Sequence, residues 1–405
     1  MKKILIMLLA LLMIVSAAAC SSGSGSGQSE EPETQEQEET KHKIAVVVYD
    51  RTDDEVISFK NYLENYIAPI FDVEFLYSDT LRTEDEIQKF ISDASDNGAE
   101  GIMSFLSMDL KSEVELAADK GMYYMLASGT VTDEAYEAVA DNEYFLGVIG
   151  PGDEMEYTAG ANLAAAALNL REGSEKDSYF VLSGGGANKN EMHRLRTVGL
   201  LEKFENAYGV KLEKSPEDIA ASEEVTKIET DKFSLCVCPG YLVDDDVYSR
   251  TVEEYKAGDY DIVLGVLPVT KMLNEIKDAR IGVVDCYSQT NQHLFNTGQM
   301  SYVTGKYSSM IGPSFAAMFN AITGHAEDFR DNSRAFRIKQ GFWSSDSRED
   351  YDEKYSMASS IEKCAYNYAD LQSIMKEYTP DATFDDLKSL AEAFKYEDAV
   401  ARRAE

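Results

Sequence analysis

Several side chains that could bind a small polar molecule lie at or near the ends of predicted strands. Asp285 directly follows the apolar run 281–284, and a carboxylate in that position requires a partner. The aromatic residues Tyr49, Phe105 and Tyr287 also lie at or near predicted strand ends. Ligands of open α/β sheets bind just beyond the carboxyl ends of the strands. These positions are therefore candidates for a binding site, although Tyr49 and Phe105 would serve equally well as core residues.

The sequence lacks the arrangements that many enzymes need. It contains no nucleophile elbow with an ordered Ser, His and Asp, no zinc-ligand spacing and no phosphate-binding loop. The glycines at 184–186 could cradle a phosphate, but no Lys-Ser/Thr follows them, and turn geometry explains them more simply. Carboxylates are abundant, so a paired acid and base stays open. The sequence favours binding over turnover, and we expect no enzyme activity, no cofactor and no metal.

The candidate residues are positioned by a regular alternation of strands and helices. Short β-branched runs typical of strands buried on both faces alternate with apolar residues at helical spacing. The predicted strands lie near 44–49, 73–77, 101–105, 122–127, 144–149, 178–183, 233–238, 261–267, 280–284, 300–304 and 334–342. The alternation restarts after residue 150, so it predicts an α/β chain with two Rossmann-like lobes, each with a parallel sheet covered by helices.

Chain length also indicates two lobes. Without its first forty residues the chain has roughly 360, which exceeds the usual limit for a single core. We expect an N-terminal lobe from 42–150 and 306–331, and a C-terminal lobe from 151–305 and 332–345. A three-segment hinge near 150, 305 and 332 would join them. Residues 346–405 read as a C-terminal helical extension of two or three helices, split by Pro380. It is expected to pack against a lobe; a docking surface for a partner is the alternative.

The N-terminus carries an export signal. Lys2 and Lys3 precede the apolar run 4–19, which is short for a membrane span. Cys20 directly follows small residues, and this resembles the lipobox of bacterial lipoproteins, in which the thiol takes a diacylglycerol. We therefore expect a signal peptide at 1–19, lipidation of Cys20 and a disordered tether at 20–41. A plain signal peptide with Cys20 as a bystander is the alternative.

Composition excludes some partners. The formal net charge is −35, from 38 basic and 73 acidic residues, so the chain should repel nucleic acid.

Cys236 and Cys238 lie two apart on a predicted strand and therefore on one face. They are expected to be small core residues. A disulfide between Cys286 and one of this pair is possible outside the cytoplasm, and the sequence does not decide it.

Four short motifs resemble the type I periplasmic binding proteins over roughly residues 42–345. They are the strand opening Lys43-Ile-Ala-Val-Val-Val, the helix segment Arg196-Thr-Val-Gly-Leu200, the run Ile281-Gly-Val-Val-Asp285, and the stretch from Tyr302 to Lys306 that leads into a helix with Ile311-Gly312. In sugar-binding members of that family, the arginine, the aspartate and the crossing position contact ligand hydroxyls. The resemblance places these roles on Arg196, Asp285 and Lys306.

The chain departs from the sugar-binding pattern at three places. Ser128-Gly129 stands where the family often has Asp-Arg, and Leu267-Pro268 stands where an asparagine is usual. The first strand ends in Tyr49-Asp50-Arg51, whose polar residues could contact ligand or only cap the first helix. Two polar contacts are therefore missing, which places a simple sugar in question but leaves the expected fold unchanged.

The resemblance implies a function. In bacteria with a single membrane, such proteins are the lipid-anchored binding components of ABC importers, so we expect a monomer that captures a sugar or sugar-like ligand for a permease outside the cell. A lipoprotein that presents its closed form to a sensor kinase or chemoreceptor is an alternative, as is a binder of nucleosides or amino acids. DNA-binding relatives of this fold are excluded by the export signal and by the lack of a helix-turn-helix.

Overall fold

Two β-sheets form the centre of the chain from Lys41 onwards, which is one compact unit. The computed structural model describes residues 41–170, 176–188, 190–240, 242 and 245–404. The expected signal peptide, the expected lipidation of Cys20 and nearly all of the expected tether lie outside these residues. The two-lobed α/β architecture predicted from the sequence is confirmed by the sheets and by the helices that cover them.

The first sheet has six parallel strands in the order β12-β5-β4-β3-β1-β2. They are β1 (His42–Val47), β2 (Val73–Tyr77), β3 (Gly101–Ser104), β4 (Tyr123–Ala127), β5 (Phe145–Gly150) and β12 (Phe336–Lys339). The central strands are apolar because helices cover both faces of the sheet, as expected for parallel strands. Because the six strands are parallel, their carboxyl ends lie at the same edge of the sheet. This edge faces Asp285 and Lys306 of the second sheet.

The second sheet has seven strands in the order β13-β11-β10-β9-β6-β8-β7. They are β6 (Asp177–Ser183), β7 (Thr226–Glu229), β8 (Phe233–Pro239), β9 (Ile262–Gly265), β10 (Arg280–Cys286), β11 (Met300–Lys306) and β13 (Trp343–Ser345). Its five inner strands are parallel, but the edge strands β7 and β13 run antiparallel to their neighbours. The expectation of purely parallel sheets is corrected at these two edges. A short connection joins β7 to β8, as an antiparallel pair allows, whereas β13 returns to β11 after the chain has passed through the first lobe.

Sixteen α-helices occur among the described residues. They are α1 (Asp54–Tyr62), α2 (Ala68–Phe71), α3 (Glu84–Asp96), α4 (Leu110–Asp119), α5 (Asp133–Glu137), α6 (Asp153–Asn169), α7 (Gly185–Asn188), α8 (Glu191–Tyr208), α9 (Pro216–Ala221), α10 (Asp245–Ala257), α11 (Gln289–Asn296), α12 (Gly312–Asn320), α13 (Arg348–Ala358), α14 (Tyr368–Ser373), α15 (Phe384–Glu392) and α16 (Tyr396–Ala404). A capping box formed by Thr83 and Glu86 begins α3.

The last predicted strand, 334–342, corresponds to β12, which pairs with β5 in the first sheet. A further strand that the sequence did not predict, β13, follows at Trp343–Ser345 and pairs with β11 in the second sheet. The assignment of 332–345 to the C-terminal lobe is therefore corrected for β12. The chain changes sheets after Gly150, after Lys306 and between Lys339 and Trp343, so the third hinge segment lies at 340–342 and not near 332.

The C-terminal extension contains four helices, α13 to α16, where two or three were expected. Its apolar side chains join the same buried cluster that runs through both sheets, including Tyr351, Tyr366 and Leu387. A second apolar cluster covers the other face of the first sheet. The extension therefore packs against both lobes and not against one alone.

The four described cysteines are free and buried, which agrees with their expected role as core residues. Cys236 and Cys238 lie on one face of β8 with their Sγ atoms 3.9 Å apart. Cys286 is the last residue of β10 and carries no disulfide to either of them.

Candidate functional site

Buried polar side chains of the two lobes meet at the carboxyl ends of the two sheets. Lys306, at the end of β11, donates from Nζ to Glu55 Oε1 at 2.9 Å and lies 3.5 Å from Ser128 Oγ. Glu55 is in the first turn of α1, and Ser128 follows β4, so both belong to the first lobe. All three residues are buried. Burial of an ammonium group requires such a partner, and the contact therefore links the lobes directly.

The N-terminus of α1 adds a second carboxylate beside this ion pair. Asp53 is the N-cap of the helix and accepts a hydrogen bond from the Glu55 amide at 2.9 Å. The Tyr49 hydroxyl donates to the same Asp53 oxygen at 2.9 Å. Burial, followed by the neighbouring Glu55 carboxylate, raises the pKa of Asp53 to about 6. Burial likewise raises the pKa of Tyr49.

Asp285 faces this first-lobe group from the end of β10. Its Oδ2 accepts a hydrogen bond from Asn291 Nδ2, in α11, at 2.9 Å. Burial, followed by the Asp53 carboxylate of the other lobe, raises the pKa of Asp285 to about 8. We call Tyr49, Asp53, Glu55, Ser128, Asp285 and Lys306 the interlobe cluster.

A second buried ion pair lies beside the interlobe cluster. Arg196 in α8 donates from Nε to Glu156 Oε2 in α6 at 2.5 Å, and from Nη1 to the Val266 carbonyl at 3.0 Å. Thr130 of the first lobe is 3.0 Å from Glu156 Oε1 and 2.6 Å from the Pro151 carbonyl. Contact between Thr130 and Glu156 makes this pair, like the first, part of the interface between the lobes.

Two glycines bring Arg196 and Glu156 together. An added Cβ at Gly160 in α6 would lie 1.8 Å from the Arg196 carbonyl oxygen, and one at Gly199 in α8 would lie 2.1 Å from the Tyr157 carbonyl oxygen. Only glycine allows the backbones of the two helices to approach this closely. The small residues of α6 therefore position the ion pair.

His193, one turn before Arg196 on α8, is half-buried in this region. Burial, with Arg196 and Lys306 as further causes, lowers the pKa of His193 to about 3. Its ring packs over Gly184, where an added Cβ would lie 2.5 Å from Nδ1. The imidazole is therefore neutral at physiological pH.

The structure places the remaining predicted site residues outside these contacts. Arg51 donates to the Ser78 carbonyl and pairs with Asp79 at the end of β2. Asp50 accepts from Thr52 and lies 3.4 Å from Arg82. Both residues hold the loop between β1 and α1.

The two remaining aromatic predictions are packed against other rings. Phe105 packs edge-on to Phe59 of α1, with ring centroids 5.0 Å apart. Tyr287 stacks on Tyr351 of the C-terminal extension and bonds through its hydroxyl to Ser345 Oγ at 2.9 Å. Tyr287 therefore attaches the extension to the second lobe.

Sequence reasoning missed four residues of the site: Asp53, Glu55, Thr130 and Glu156. The acidic residues 53–55 read as ordinary helix-start charges, and Glu156 lies in a helix notable for alanine. A charge within an otherwise small, apolar helix face was the available signal, because such a residue must be buried with a partner.

A cavity of about 420 Å³ adjoins the site on the hinge side. It is lined by Thr130, Gly150, Asp153, Arg337 and Lys339, among others. Arg337 pairs with Asp133, another lining residue, at 2.6 Å. Thr130 thus separates this cavity from the Arg196–Glu156 pair.

Two further properties concern only the described residues. No group of three or more His, Cys, Asp or Glu side chains there is placed to hold a metal ion. None of the helices in the described ranges combines the length and the apolar composition that a membrane crossing requires.

Comparisons with solved structures show the fold. The chain is similar to an ABC transporter periplasmic solute-binding protein from Actinobacillus succinogenes 130z with bound D-allose, with a TM-score of 0.57 and 11% identity over 77% of this chain and 100% of that one. It is also similar to a carbohydrate transporter from Acidothermus cellulolyticus 11B in complex with myo-inositol, with a TM-score of 0.55 and 16% identity over 79% and 99%.

A third similar structure is GanP, a glucose-galactose binding protein from Geobacillus stearothermophilus. Its TM-score is 0.52, with 12% identity over 77% of this chain and 99% of that one. No protein-family model matches the sequence, and no curated protein matches it. The chain therefore has the fold of the type I periplasmic binding proteins, as the sequence predicted. Residues 1–40 are too few to account for the unmatched fifth, so part of the described chain also has no counterpart in these structures.

Proposed function

We propose that the protein is an extracytoplasmic solute-binding protein that captures a small, hydroxyl-rich ligand between its two lobes. The observation that carries this proposal is the convergence of buried charged side chains from both lobes at the carboxyl ends of the two sheets. Ligands of this architecture bind in that position. Charge-assisted hydrogen bonds from carboxylates and a guanidinium suit the paired hydroxyls of a sugar.

The site has unused hydrogen-bonding capacity of both kinds. Within the described part of the chain, hydrogen bonds engage only one oxygen each of Asp53, Glu55 and Asp285. On the donor side, Arg196 keeps Nη2 and one N–H of Nη1, and Lys306 keeps one N–H beyond its contacts with Glu55 and Ser128. The raised pKa of Asp285 lets its carboxyl group donate as well. Carboxyl oxygens beside cationic donors suit hydroxyl groups, which both donate and accept.

This inventory supports a sugar or polyol, the class bound in the similar structures with D-allose and myo-inositol. An amino acid, through its ammonium group, and a nucleoside, through its ribose hydroxyls, are the alternatives. The departures from the sugar-binding pattern at Ser128 and Leu267 are consistent with a ligand that differs from a simple hexose.

Ligand entry requires the lobes to separate. Rotation at the three hinge segments would part Lys306 from Glu55 and Thr130 from Glu156, and ligand groups would then bond to these side chains between the lobes. The ligand shifts the equilibrium by its higher affinity for the closed form. The closed form would then be presented to the permease of an importer.

Calorimetry and thermal-shift measurements on purified protein test the binding. The screen would contain D-allose, myo-inositol, glucose, galactose, nucleosides and amino acids. A ligand at 100 times its Kd is expected to stabilise the protein by about 2.7 kcal/mol and to be recovered unchanged. Absence of binding across the whole screen would contradict capture of a nutrient, and release of a reaction product would indicate an enzyme.

The importer role and the sensor role differ in their partner. An importer predicts co-purification of the ligand-loaded protein with a permease encoded nearby, whereas a sensor predicts co-purification with a kinase or chemoreceptor. Crosslinking in intact cells, with and without the ligand found by the screen, separates the two.

We also propose that Cys20 anchors the chain by a lipid. The small residues before it and the polar segment after it support this role. Substituting Cys20→Ala is expected to move the protein from the membrane fraction to the medium and to abolish labelling by a radioactive fatty acid. Continued membrane retention of the variant would contradict the proposal.

A further inference from the structure

We propose that the C-terminal segment Arg348–Ala404 is a brace that crosses the hinge twice and sets the angle between the lobes. This inference does not depend on the ligand or on the proposed function. It rests on the order in which the segment contacts the second lobe, the first lobe and then the second lobe again.

The brace begins on the second lobe. The Tyr351 hydroxyl donates to the Ser288 carbonyl and accepts from the Ser288 amide, both at 2.9 Å. Its ring packs on Phe295, with centroids 4.7 Å apart. At the end of α13, the Ala358 carbonyl accepts a hydrogen bond from Ser308, which lies in the second hinge segment.

The brace then passes to the first lobe. Tyr62 donates to the Tyr366 carbonyl at 2.7 Å, and the Tyr66 hydroxyl accepts from the Tyr368 amide at 2.8 Å. The fully buried Asn320 side chain donates to the Ile374 carbonyl at 2.8 Å and accepts from the Lys376 amide at 2.9 Å. It therefore satisfies one backbone acceptor and one backbone donor of the brace. These contacts are buried, so each one lost would leave polar groups without partners.

The second crossing returns the brace to the second lobe. The Phe394 carbonyl accepts from Trp343 Nε1 at 2.8 Å and from the Tyr307 hydroxyl at 3.2 Å. Trp343, in β13, and Tyr307, in the second hinge segment, stack with their centroids 3.9 Å apart. Arg402 closes the brace on itself by donating to the Ala393 and Ala365 carbonyls.

The hinge is consequently inside a packed core. Gln340 of the third hinge segment is fully buried and donates to the Tyr366 hydroxyl of the brace at 3.2 Å. Hinge residues ordinarily absorb large backbone rotations in loops or at element ends. Here, lobe rotation must break buried hydrogen bonds of the brace to one lobe or the other. The brace therefore keeps the population of open molecules low.

Hydrogen exchange on the ligand-free full chain tests this proposal with Asn320→Ala. The substitution removes both side-chain bonds to 374–376 without altering any of the three hinge segments. We expect exchange to become about tenfold faster or more at the amides of Tyr287 and Met310, which bond to Lys306 and Tyr307 at the hinge, as well as at 374–376. Small-angle scattering is expected to show a larger radius of gyration.

Glu113→Ala is the matched control. Like Asn320, Glu113 is a buried side chain of the first lobe that accepts hydrogen bonds from backbone amides, here those of Met108 and Asp109. Unlike Asn320, it does not contact the brace. Its exchange changes should stay near 105–113. Faster exchange of Asn320→Ala at 374–376 alone, with the hinge amides and the radius of gyration unchanged, would overturn the brace. If Asn320→Ala does not fold, the double variant Tyr62→Phe, Tyr66→Phe serves in its place with the same two outcomes.

Discussion

Lys306 and Glu55 are 251 positions apart in the chain, and Lys306 Nζ lies 2.9 Å from Glu55 Oε1 in the interface between the lobes. Both side chains are largely buried, with 7% and 11% of their surface exposed. A pair of this kind is costly to break at one end, because the remaining charge stays buried without a partner. It is therefore the most direct measure of whether the lobes are closed in solution.

Lys306→Met is expected to lower the free energy of unfolding by about 3–5 kcal/mol, because it leaves Glu55 unpaired. The double variant Lys306→Met, Glu55→Met should recover most of that loss, since well-packed apolar residues can replace a buried ion pair. Urea denaturation of the four proteins in this cycle gives the coupling energy.

An exposed pair on one helix is the control for this cycle. Lys111 and Glu115 are 3.8 Å apart with 60% and 59% of their side chains exposed, so Lys111→Met should cost less than about 0.5 kcal/mol. Additive losses in the Lys306–Glu55 cycle would mean that the contact does not persist in solution.

Arg196→Ala should weaken ligand binding by about 1.5–3 kcal/mol if the guanidinium makes a charged hydrogen bond to the ligand. Asp285→Ala should weaken binding by about 0.5–1.5 kcal/mol at pH 7, where the raised pKa keeps the carboxyl group protonated. Titration calorimetry with the ligand found by the screen measures the loss, and circular dichroism confirms that the variants fold. Arg51→Ala is the control, because Arg51 is held at the end of β2 by the Ser78 carbonyl and Asp79. Unchanged affinity in both site variants would place the pocket elsewhere.

Asp285→Asn should make the protein more stable at alkaline pH. The pKa of Asp285 is raised to about 8, so the folded state favours the protonated form. The stability associated with that proton is fully present below pH 4, and it is lost as the pH rises towards 8. Asn carries no charge at any of these pH values. We therefore expect the free energy of unfolding of the variant to exceed that of the natural protein by about 1–3 kcal/mol at pH 9 and by little at pH 4.

Thermal unfolding at pH 4, 6, 8 and 9 measures this difference. Asp53, whose pKa is raised to about 6, titrates in both proteins and cancels in the comparison as long as the Asn variant leaves its surroundings unchanged. A constant difference between the two proteins from pH 4 to 9 would show that Asp285 is charged in the folded state throughout.

His193→Gln should reduce the loss of stability in acid. The pKa of His193 is lowered to about 3, so its neutral form is favoured by folding. That stability is fully present above the unfolded pKa of about 6.5, and it falls as the pH drops towards 3, by up to about 1.4 kcal/mol per pH unit.

Urea denaturation at pH 7, 5.5 and 4 measures this decrease in the free energy of unfolding. His325→Gln is the control, because His325 is partly exposed beside Asp328 and outside the interlobe site. If the free energy of unfolding falls with decreasing pH at the same slope in His193→Gln and in the natural protein, the imidazole of His193 titrates normally.

Sequence patterns predicted most of the fold because the signals are local. The β-branched run of β1 and the apolar helix faces each depend on residues close together in the chain. The strand β13 was missed because it is only three residues long, Trp343–Ser345, and follows shortly after β12. Only the neighbouring strand decides which sheet such a segment joins.

The sequence by itself determined the lobe architecture and the acidic character, and through the family resemblance it predicted three charged positions of the site, Arg196, Asp285 and Lys306. Tertiary structure alone decided their partners, because Glu156 and Glu55 lie 40 and 251 residues away and become neighbours only when helices cross and lobes meet. It also decided that the C-terminal helices span the hinge. Hydrophobic periodicity shows that a helix face will be buried, but the surface that buries it depends on long-range packing.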